Sequence, residues 1–193
     1  MLTFPGDVGP KLLILSTSGW PGSETALAGA VSAELAASNA DVTRISLADY
    51  PLPLLAPGQS SLPALPANAA KLSSLVARHD GILLLCGERN ASLPAAVKNM
   101  IDWIALAPGE AWSGPTIVLA TFTGDKASQT AVGEHLRTVL TAAGVTEISG
   151  TFVFRDSELC GNEAAGAADA PVSIRIRAMS DMLMRVRPRY LPA

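Results

Sequence analysis

The residues best placed to bind a ligand follow an apolar run in the middle of the chain. Residues 82–86 are apolar over the length of a strand, and the turn 87–91 after them carries a carboxylate, a guanidinium and an amide. A helix is predicted to begin at Ser92, whose hydroxyl can cap it by accepting a backbone N–H, with Pro94 in the first turn. A strand that delivers a polar loop to the start of a helix is where an open α/β sheet binds its ligand.

A second polar turn, near the start of the chain, suits an anion. Residues 17–22 contain hydroxyls and glycines, and they separate a predicted strand at 11–16 from a helix predicted over 23–38. Backbone N–H groups of such a turn can surround a phosphate, and the start of the helix adds partial positive charge. Glu24 would place a carboxylate near that anion. An ordinary polar turn with a capped helix explains the same residues.

Strands and helices alternate along the chain. Apolar runs predict five strands, at 11–16, 41–47, 82–86, 115–121 and 145–154. Apolar spacing predicts helices over 23–38, 67–79, 92 onward, 126–144 and 171–187. The helix after 92 is expected to bury one stripe, formed by Leu93, Val97, Met100, Ile101 and Ile104. This alternation predicts an α/β fold with a doubly wound, five-stranded parallel sheet.

The composition indicates the number of domains and argues against several classes of partner. With 193 residues, 49% hydrophobic and 16% charged, the chain is expected to form one domain over 1–193, with an N-terminal arm at 1–10. A net charge of −3 gives no reason to expect nucleic acid or an anionic membrane as partner. Cys86 and Cys160 are too few for a disulfide framework and lack metal-ligand spacing. We expect a cytoplasmic protein, since such cysteine usage is typical of a reducing compartment. No apolar run suits a signal peptide or reaches the ~18 residues of a spanning helix.

The segment from Gly87 to Trp103 resembles the second flavin-binding loop of the NADPH-dependent FMN reductase family. That family writes the loop approximately as T-P-E-Y-N-G-S-I-P-G-A-L-K-N-A-I-D-W. The matching positions in this chain are Glu88, Asn90, Ser92, Pro94, Ala96, Lys98, Asn99, Ile101, Asp102 and Trp103. Proline, tyrosine and glycine of the family are replaced by Gly87, Arg89 and Ala91.

The turn after the first predicted strand resembles the phosphate loop of the same family, G-S-x-R-x-x-S-x-N. Ser18 and Ser23 match it, whereas Thr17, Trp20 and Thr25 replace glycine, arginine and asparagine. An arginine supplies charge-assisted hydrogen bonds to phosphate of roughly 1.5–3 kcal/mol each. Trp20 supplies none.

The resemblance implies a flavodoxin-like sheet of order 2-1-3-4-5 with FMN at the carboxyl ends of its strands. NADPH or NADH would deliver hydride to the flavin, and a small-molecule acceptor such as a quinone or free flavin would receive it. Members of the family complete their flavin site across a subunit interface, which implies a homodimer or a dimer of dimers. The cofactor-binding residues expected here are Ser16, Thr17, Ser18, Trp20, Ser23, Glu88, Arg89, Asn90, Ala91, Ser92, Thr123 and Gly124. No catalytic side chain is implied, because the cofactor carries the chemistry.

A second hypothesis is a flavodoxin-like module that binds a small ligand or a partner and has lost tight flavin binding. Trp20, Thr25, Arg89 and Ala91 favour it. Arg89 would either place a cation beside the N1 region of the ring or close an empty cleft. The loop predicted at 121–125 carries Phe122, which would cover a ring face or lie at the rim.

Other polar residues have structural interpretations. Lys98 and Asp102 are expected to form a pair on a solvated helix face, and Trp103 to pack in the core or at a subunit interface. His79 and His135 have no partner at the spacing of a catalytic triad or a metal site, so both are expected to be structural or exposed.

Overall fold

A computed structural model describes the residues 9–17, 22–56, 65–123, 131–159 and 169–186. Its strands are β1 (Lys11–Ser16), β2 (Asp41–Ser46), β3 (Gly81–Gly87), β4 (Thr116–Thr123) and β5 (Ile148–Arg155). They form one sheet in the order β2-β1-β3-β4-β5, and every neighbouring pair is parallel. The predicted α/β fold and its flavodoxin-like strand order are confirmed.

Helices cover both faces of this sheet. They are α1 (Ser23–Ala37), α2 (Ala67–Ala77), α3 (Ala95–Ala105), α4 (Ala131–Ala142), α5 (Asp156–Leu159) and α6 (Asp169–Met184). Side chains of α1 and α6 pack on one face, and those of α2, α3 and α4 pack on the other. Among the described residues, no helix has the combined length and apolar character needed to cross a bilayer.

The core consists of two apolar layers, one on each side of the sheet. Leu12 and Ile14 of β1 point to the α1 and α6 side, whereas Leu13 and Leu15 point to the opposite side. Every residue of β3 is buried, as expected for a central parallel strand. Full burial of one leucine side chain contributes about 1.5–3 kcal/mol. The two layers therefore hold the strand ends in fixed positions.

The fourth strand is longer than predicted. Residues 121–123, expected in a loop, continue β4 and pair with β5 as far as Thr123 opposite Arg155. Phe122 is 2% exposed, and its ring centroid lies 6.2 Å from that of Phe154. Both predictions for Phe122, a ring cover or a rim residue, were therefore wrong. The strand continues because threonine and phenylalanine suit a pleated, buried surface.

The apolar stripe predicted for the third helix is buried at every position from Leu93 to Ile104.

The other helices and strands begin or end within a few residues of the predicted positions. After β5 the chain forms the short helix α5, and residues 160–168 lie outside the described residues. Residues 126–130, at the start of the predicted fourth helix, also lie outside the described residues.

Candidate functional site

The carboxyl ends of β1, β3 and β4 lie side by side, and hydrogen bonds extend the pairing beyond the strands. The N–H of Thr17 donates to the carbonyl of Leu85 at 3.1 Å, and the N–H of Glu88 donates to the carbonyl of Phe122 at 2.9 Å. Both polar turns identified in the sequence therefore start at neighbouring strand ends. This is the topological switch point, at which an open parallel sheet of this order binds its ligand.

The turn after β3 is tight and hydrogen-bonded. The N–H of Arg89 donates to the carbonyl of Ser92 at 2.8 Å, and the N–H of Ser92 donates to the carbonyl of Arg89 at 3.1 Å. Between them, Asn90 and Ala91 have φ angles of 53° and 58°, in the left-handed region that favours glycine. The N–H of Ala91 donates to Oε1 of Glu88 at 3.2 Å. The turn is thus stabilised by hydrogen bonds between its own residues, while the side chains of Arg89 and Asn90 are exposed.

Ser92 does not cap the helix that follows it. Helix α3 begins at Ala95 after Pro94, whose ψ is 143°, and no side chain caps its first turn. The prediction was wrong for two reasons. The backbone of Ser92 is hydrogen-bonded to Arg89, and Leu93 precedes Pro94, which disfavours helical backbone angles at Leu93. The Ser92 hydroxyl instead lies 3.0 Å from Nδ1 of His135 on α4. His135 is exposed, in agreement with the expectation that it is structural or exposed. Its hydrogen bond to Ser92 could not be read from the neighbouring sequence.

Two buried polar atoms at the ends of β3 and β4 have no hydrogen-bond partner in the described part of the chain. They are Oε2 of Glu88 and Oγ1 of Thr123. Thr123 is only 1% exposed. The bond from the Glu88 N–H to Phe122 places the two residues on adjacent strand ends. A buried polar group left unpaired costs about 1–3 kcal/mol, so both atoms are available to hydrogen-bond to a bound ligand or to water.

The first residue of the turn after β1 is hydrogen-bonded to β3 and to α1. The Thr17 hydroxyl donates to the carbonyl of Leu85 at 2.7 Å. The Thr17 N–H also lies 3.2 Å from Oε1 of Glu24, whose side chain is 3% exposed. Ser23 is buried at the start of α1, and Ser16 is half-buried at the end of β1. A carboxylate therefore lies at the start of this turn, as expected.

Most of the residues predicted to bind the cofactor surround these strand ends. The described ones are Ser16, Thr17, Ser23, Glu88, Arg89, Asn90, Ala91, Ser92 and Thr123. The predictions for Ser18, Trp20 and Gly124 lie outside the described residues.

Cys86 lies between the two turns, near the end of β3. Its side chain is fully buried, and burial raises the pKa of the thiol to about 12. The Thr17 hydroxyl opposes this rise, whereas the charge of Glu24 adds to it. The thiol therefore stays protonated at neutral pH, which agrees with an inert, buried cysteine.

Asn99 and Trp103 hold a proline-rich segment that follows β2. Oδ1 of Asn99 accepts the N–H of Leu55 at 2.9 Å, and its Nδ2 donates to the carbonyl of Pro53 at 3.0 Å. Nε1 of Trp103 donates to the same carbonyl at 2.8 Å. Sequence reasoning missed this clamp, because its partners lie more than forty residues apart.

Two further groups lie away from the strand ends. Lys98 and Asp102 form the predicted surface pair, with Nζ and Oδ2 2.6 Å apart. His79 is 4% exposed, and its Nδ1 lies 2.6 Å from the carbonyl of Leu75. Burial, followed by the charge of Arg78, lowers the pKa of His79.

The sequence profile of the NADPH-dependent FMN reductase family matches residues 10–158, which include both turns. The chain belongs to this family. A quinone reductase of Escherichia coli K12 is 28% identical to it over 75 residues, which are 39% of this chain and 40% of that relative. The aligned region thus spans less than half the length of that protein.

Solved structures of similar fold include an NADH:FMN oxidoreductase and a protein in complex with FMN. An NADH:FMN oxidoreductase in its apo form has a TM-score of 0.69 and 21% identity, covering 94% of this chain and 92% of that one. General stress protein 14 from Treponema denticola, solved in complex with FMN, has a TM-score of 0.61 and 20% identity, covering 90% of this chain and 99% of that one. At these identities the likeness concerns the fold.

The described residues of this FMN reductase family member fit the ring end of a flavin. The unpaired Glu88 oxygen is an acceptor for a ring N–H, and the Thr123 hydroxyl both donates and accepts. At the other turn, the N–H of Thr17 is shared between the carbonyl of Leu85 and Oε1 of Glu24, so it is not free to bind a phosphate. The sequence also has no Lys, Arg or His between Lys11 and Arg44.

Proposed function

We propose that the chain is an FMN-dependent oxidoreductase that takes hydride from NADPH or NADH and passes it to a quinone-like or flavin acceptor. The observation that carries this proposal is the pair of unpaired, buried polar atoms, Oε2 of Glu88 and Oγ1 of Thr123, on adjacent strand ends. Family membership supports it, and so does the shared fold of FMN oxidoreductases.

FMN, when bound, supplies the hydride-transfer chemistry. The chain's own residues hold and orient it. Glu88 and Thr123 would contact the polar edge of the ring, and the turn with Asn90 and Ala91 in the left-handed region would hold the Glu88 carboxylate in place through the Ala91 N–H. Arg89, on the exposed side of this turn, gives the rim of the site a positive charge.

The acceptor is a small molecule rather than a nucleic acid or a membrane, and the protein acts in the cytoplasm as a homodimer or a dimer of dimers.

A second candidate function is a flavodoxin-like binding module without tight flavin binding. One observation favours it: a carboxylate oxygen of Glu24 lies 3.2 Å from the Thr17 N–H at the place where the phosphate is expected. A module of this kind would bind a ligand at the strand ends without turnover.

Spectroscopy and turnover separate the two candidates. The purified chain is incubated with FMN, desalted and scanned in the visible range, and oxidation of NADPH and of NADH is then followed with a quinone or free FMN as acceptor. The oxidoreductase retains flavin absorbance and oxidises at least one nucleotide in an acceptor-dependent way. Absence of both flavin binding and nucleotide oxidation would favour the binding module.

A further inference from the structure

The turn that carries Glu88 contains two residues in an unfavourable backbone conformation. Asn90 and Ala91 have φ angles of 53° and 58°, which crowd the side chain of an L-residue against its own backbone. Conformations of this kind persist only where the surrounding contacts fix them, and they are frequent at ligand-binding turns. The conformation of this turn therefore depends on its restraints.

Two of these restraints lie within the turn. They are the backbone pair between Arg89 and Ser92 and the bond from the Ala91 N–H to Oε1 of Glu88. They set the shape of the turn and leave its position relative to the helices open. A third contact joins the turn to a helix, because the hydroxyl of the half-buried Ser92 lies 3.0 Å from Nδ1 of His135 on α4.

Helix α4 is a firm anchor at this point. Val132 and Leu136, on either side of His135 in the sequence, are 1% and 0% exposed. They belong to the same apolar layer as Leu93, the residue that follows Ser92. The hydrogen bond between Ser92 and His135 therefore joins two segments whose backbones are already fixed by packing, and only the two side chains have to be ordered to form it.

We infer that His135 is a positioning residue of the proposed flavin site, which acts through the Ser92 hydroxyl to hold the turn and its Glu88 carboxylate in the flavin-binding conformation. The inference rests on the proposed flavin function and deepens it. It also assigns the hydroxyl of Ser92 to His135 rather than to the cofactor. Without this bond the turn would populate other conformations, and the apparent Kd for FMN would rise as the binding-competent fraction falls.

A double-mutant cycle on FMN binding tests the inference. The Kd for FMN is measured by quenching of flavin fluorescence for the wild-type chain, Ser92→Ala, His135→Ala and the double variant. His135→Asn is a conservative variant, because its amide has a polar atom as many bonds from the backbone as Nδ1 and can donate or accept. Thr138→Ala is the matched control on the same helix, since the Thr138 hydroxyl donates to the carbonyl of Glu134 at 2.9 Å.

Each single alanine variant of the pair, Ser92→Ala or His135→Ala, is expected to raise the Kd for FMN about threefold to tenfold. The double variant should resemble either single variant, because both substitutions remove the same bond. His135→Asn should recover most of the lost affinity, and Thr138→Ala should keep the wild-type Kd.

The possible results separate the inference from the proposed function. A wild-type Kd in His135→Ala overturns the inference and leaves the flavin function standing. Additive losses in the cycle do the same, because they would mean that Ser92 contacts the flavin directly, and so does a loss in His135→Asn as large as that in His135→Ala. Failure of the wild-type chain to bind FMN overturns the proposed function and the inference with it. If circular dichroism shows that His135→Ala does not fold, His135→Phe, which keeps a ring without a hydrogen-bonding atom, replaces it in the cycle.

Discussion

The backbone N–H of Glu88 donates to the carbonyl of Phe122 across 2.9 Å, which continues the pairing of β3 with β4 past the end of β3. This bond places the start of the second turn beside Thr123, the last residue of β4. Because it joins two backbone groups, it does not require particular residue types at positions 87 and 89, which differ from the family pattern.

Removing the unpaired hydroxyl of Thr123 should stabilise the empty protein and weaken flavin binding. In Thr123→Val, a buried polar group without a described partner is replaced by an apolar group of the same shape. We expect the free energy of unfolding to rise by about 1 kcal/mol in urea denaturation without flavin. We expect the Kd for FMN to increase about tenfold in a fluorescence titration.

Thr121→Val is the matched control on the same strand. The Thr121 hydroxyl is also buried, but it lies 3.4 Å from the carbonyl of Phe152 and donates to it. Its removal should lower the free energy of unfolding by about 0.5–1.5 kcal/mol and leave the FMN affinity unchanged. Equal effects of the two variants on stability and on binding would contradict the role given to Thr123.

Ala91→Gly should stabilise the protein. Ala91 has a φ of 58°, and an L-residue with a side chain is strained there by roughly 1 kcal/mol relative to glycine. Thermal or urea denaturation should therefore show a gain, reduced in part by the greater freedom of glycine in the unfolded chain. Ala96→Gly, on the exposed side of α3, should instead lose about 1 kcal/mol. A loss in both variants would argue against the left-handed turn.

Asn99→Ala should loosen the segment that follows β2. The variant removes hydrogen bonds to the N–H of Leu55 and to the carbonyl of Pro53, and Trp103 keeps one bond to that carbonyl. We expect a loss of about 1–3 kcal/mol and faster proteolysis between residues 51 and 56. Lys98→Ala, which breaks only the exposed pair with Asp102, should lose about 0.2–0.5 kcal/mol. The clamp would be refuted if both variants were cleaved at the wild-type rate.

His79 should make the stability of the protein depend on pH. Burial lowers its pKa below 6.5 in the folded state, so that the unfolded chain binds a proton first as the pH falls. The contribution of His79 is therefore fully present above pH ~6.5 and is lost as the pH falls through the lowered, folded-state pKa. Urea denaturation as a function of pH should show this decline in the wild-type chain and in His135→Gln, and a shallower decline in His79→Gln. Identical profiles for all three would exclude His79 as the source.

The sequence determined the features that depend on local spacing. The buried stripe that includes Val97 and Ile104 was predictable from apolar periodicity, and the parallel α/β sheet from the alternation of strands and helices. The strand order was implied by the family resemblance. Contacts between distant segments were not predictable in this way. The bond from Ser92 to His135 joins residues 43 positions apart, and the start of α3 after Pro94 depends on the hydrogen bonding of the preceding turn.

The central claim is that the ends of β3 and β4 hold the polar edge of a flavin ring, and a crystal structure of the chain grown with FMN tests it most directly. We predict a flavin ring at these strand ends, with its polar atoms within hydrogen-bond distance of Oε2 of Glu88 and Oγ1 of Thr123. A flavin bound elsewhere on the molecule, or both side-chain atoms still unpaired at saturating FMN, would contradict it.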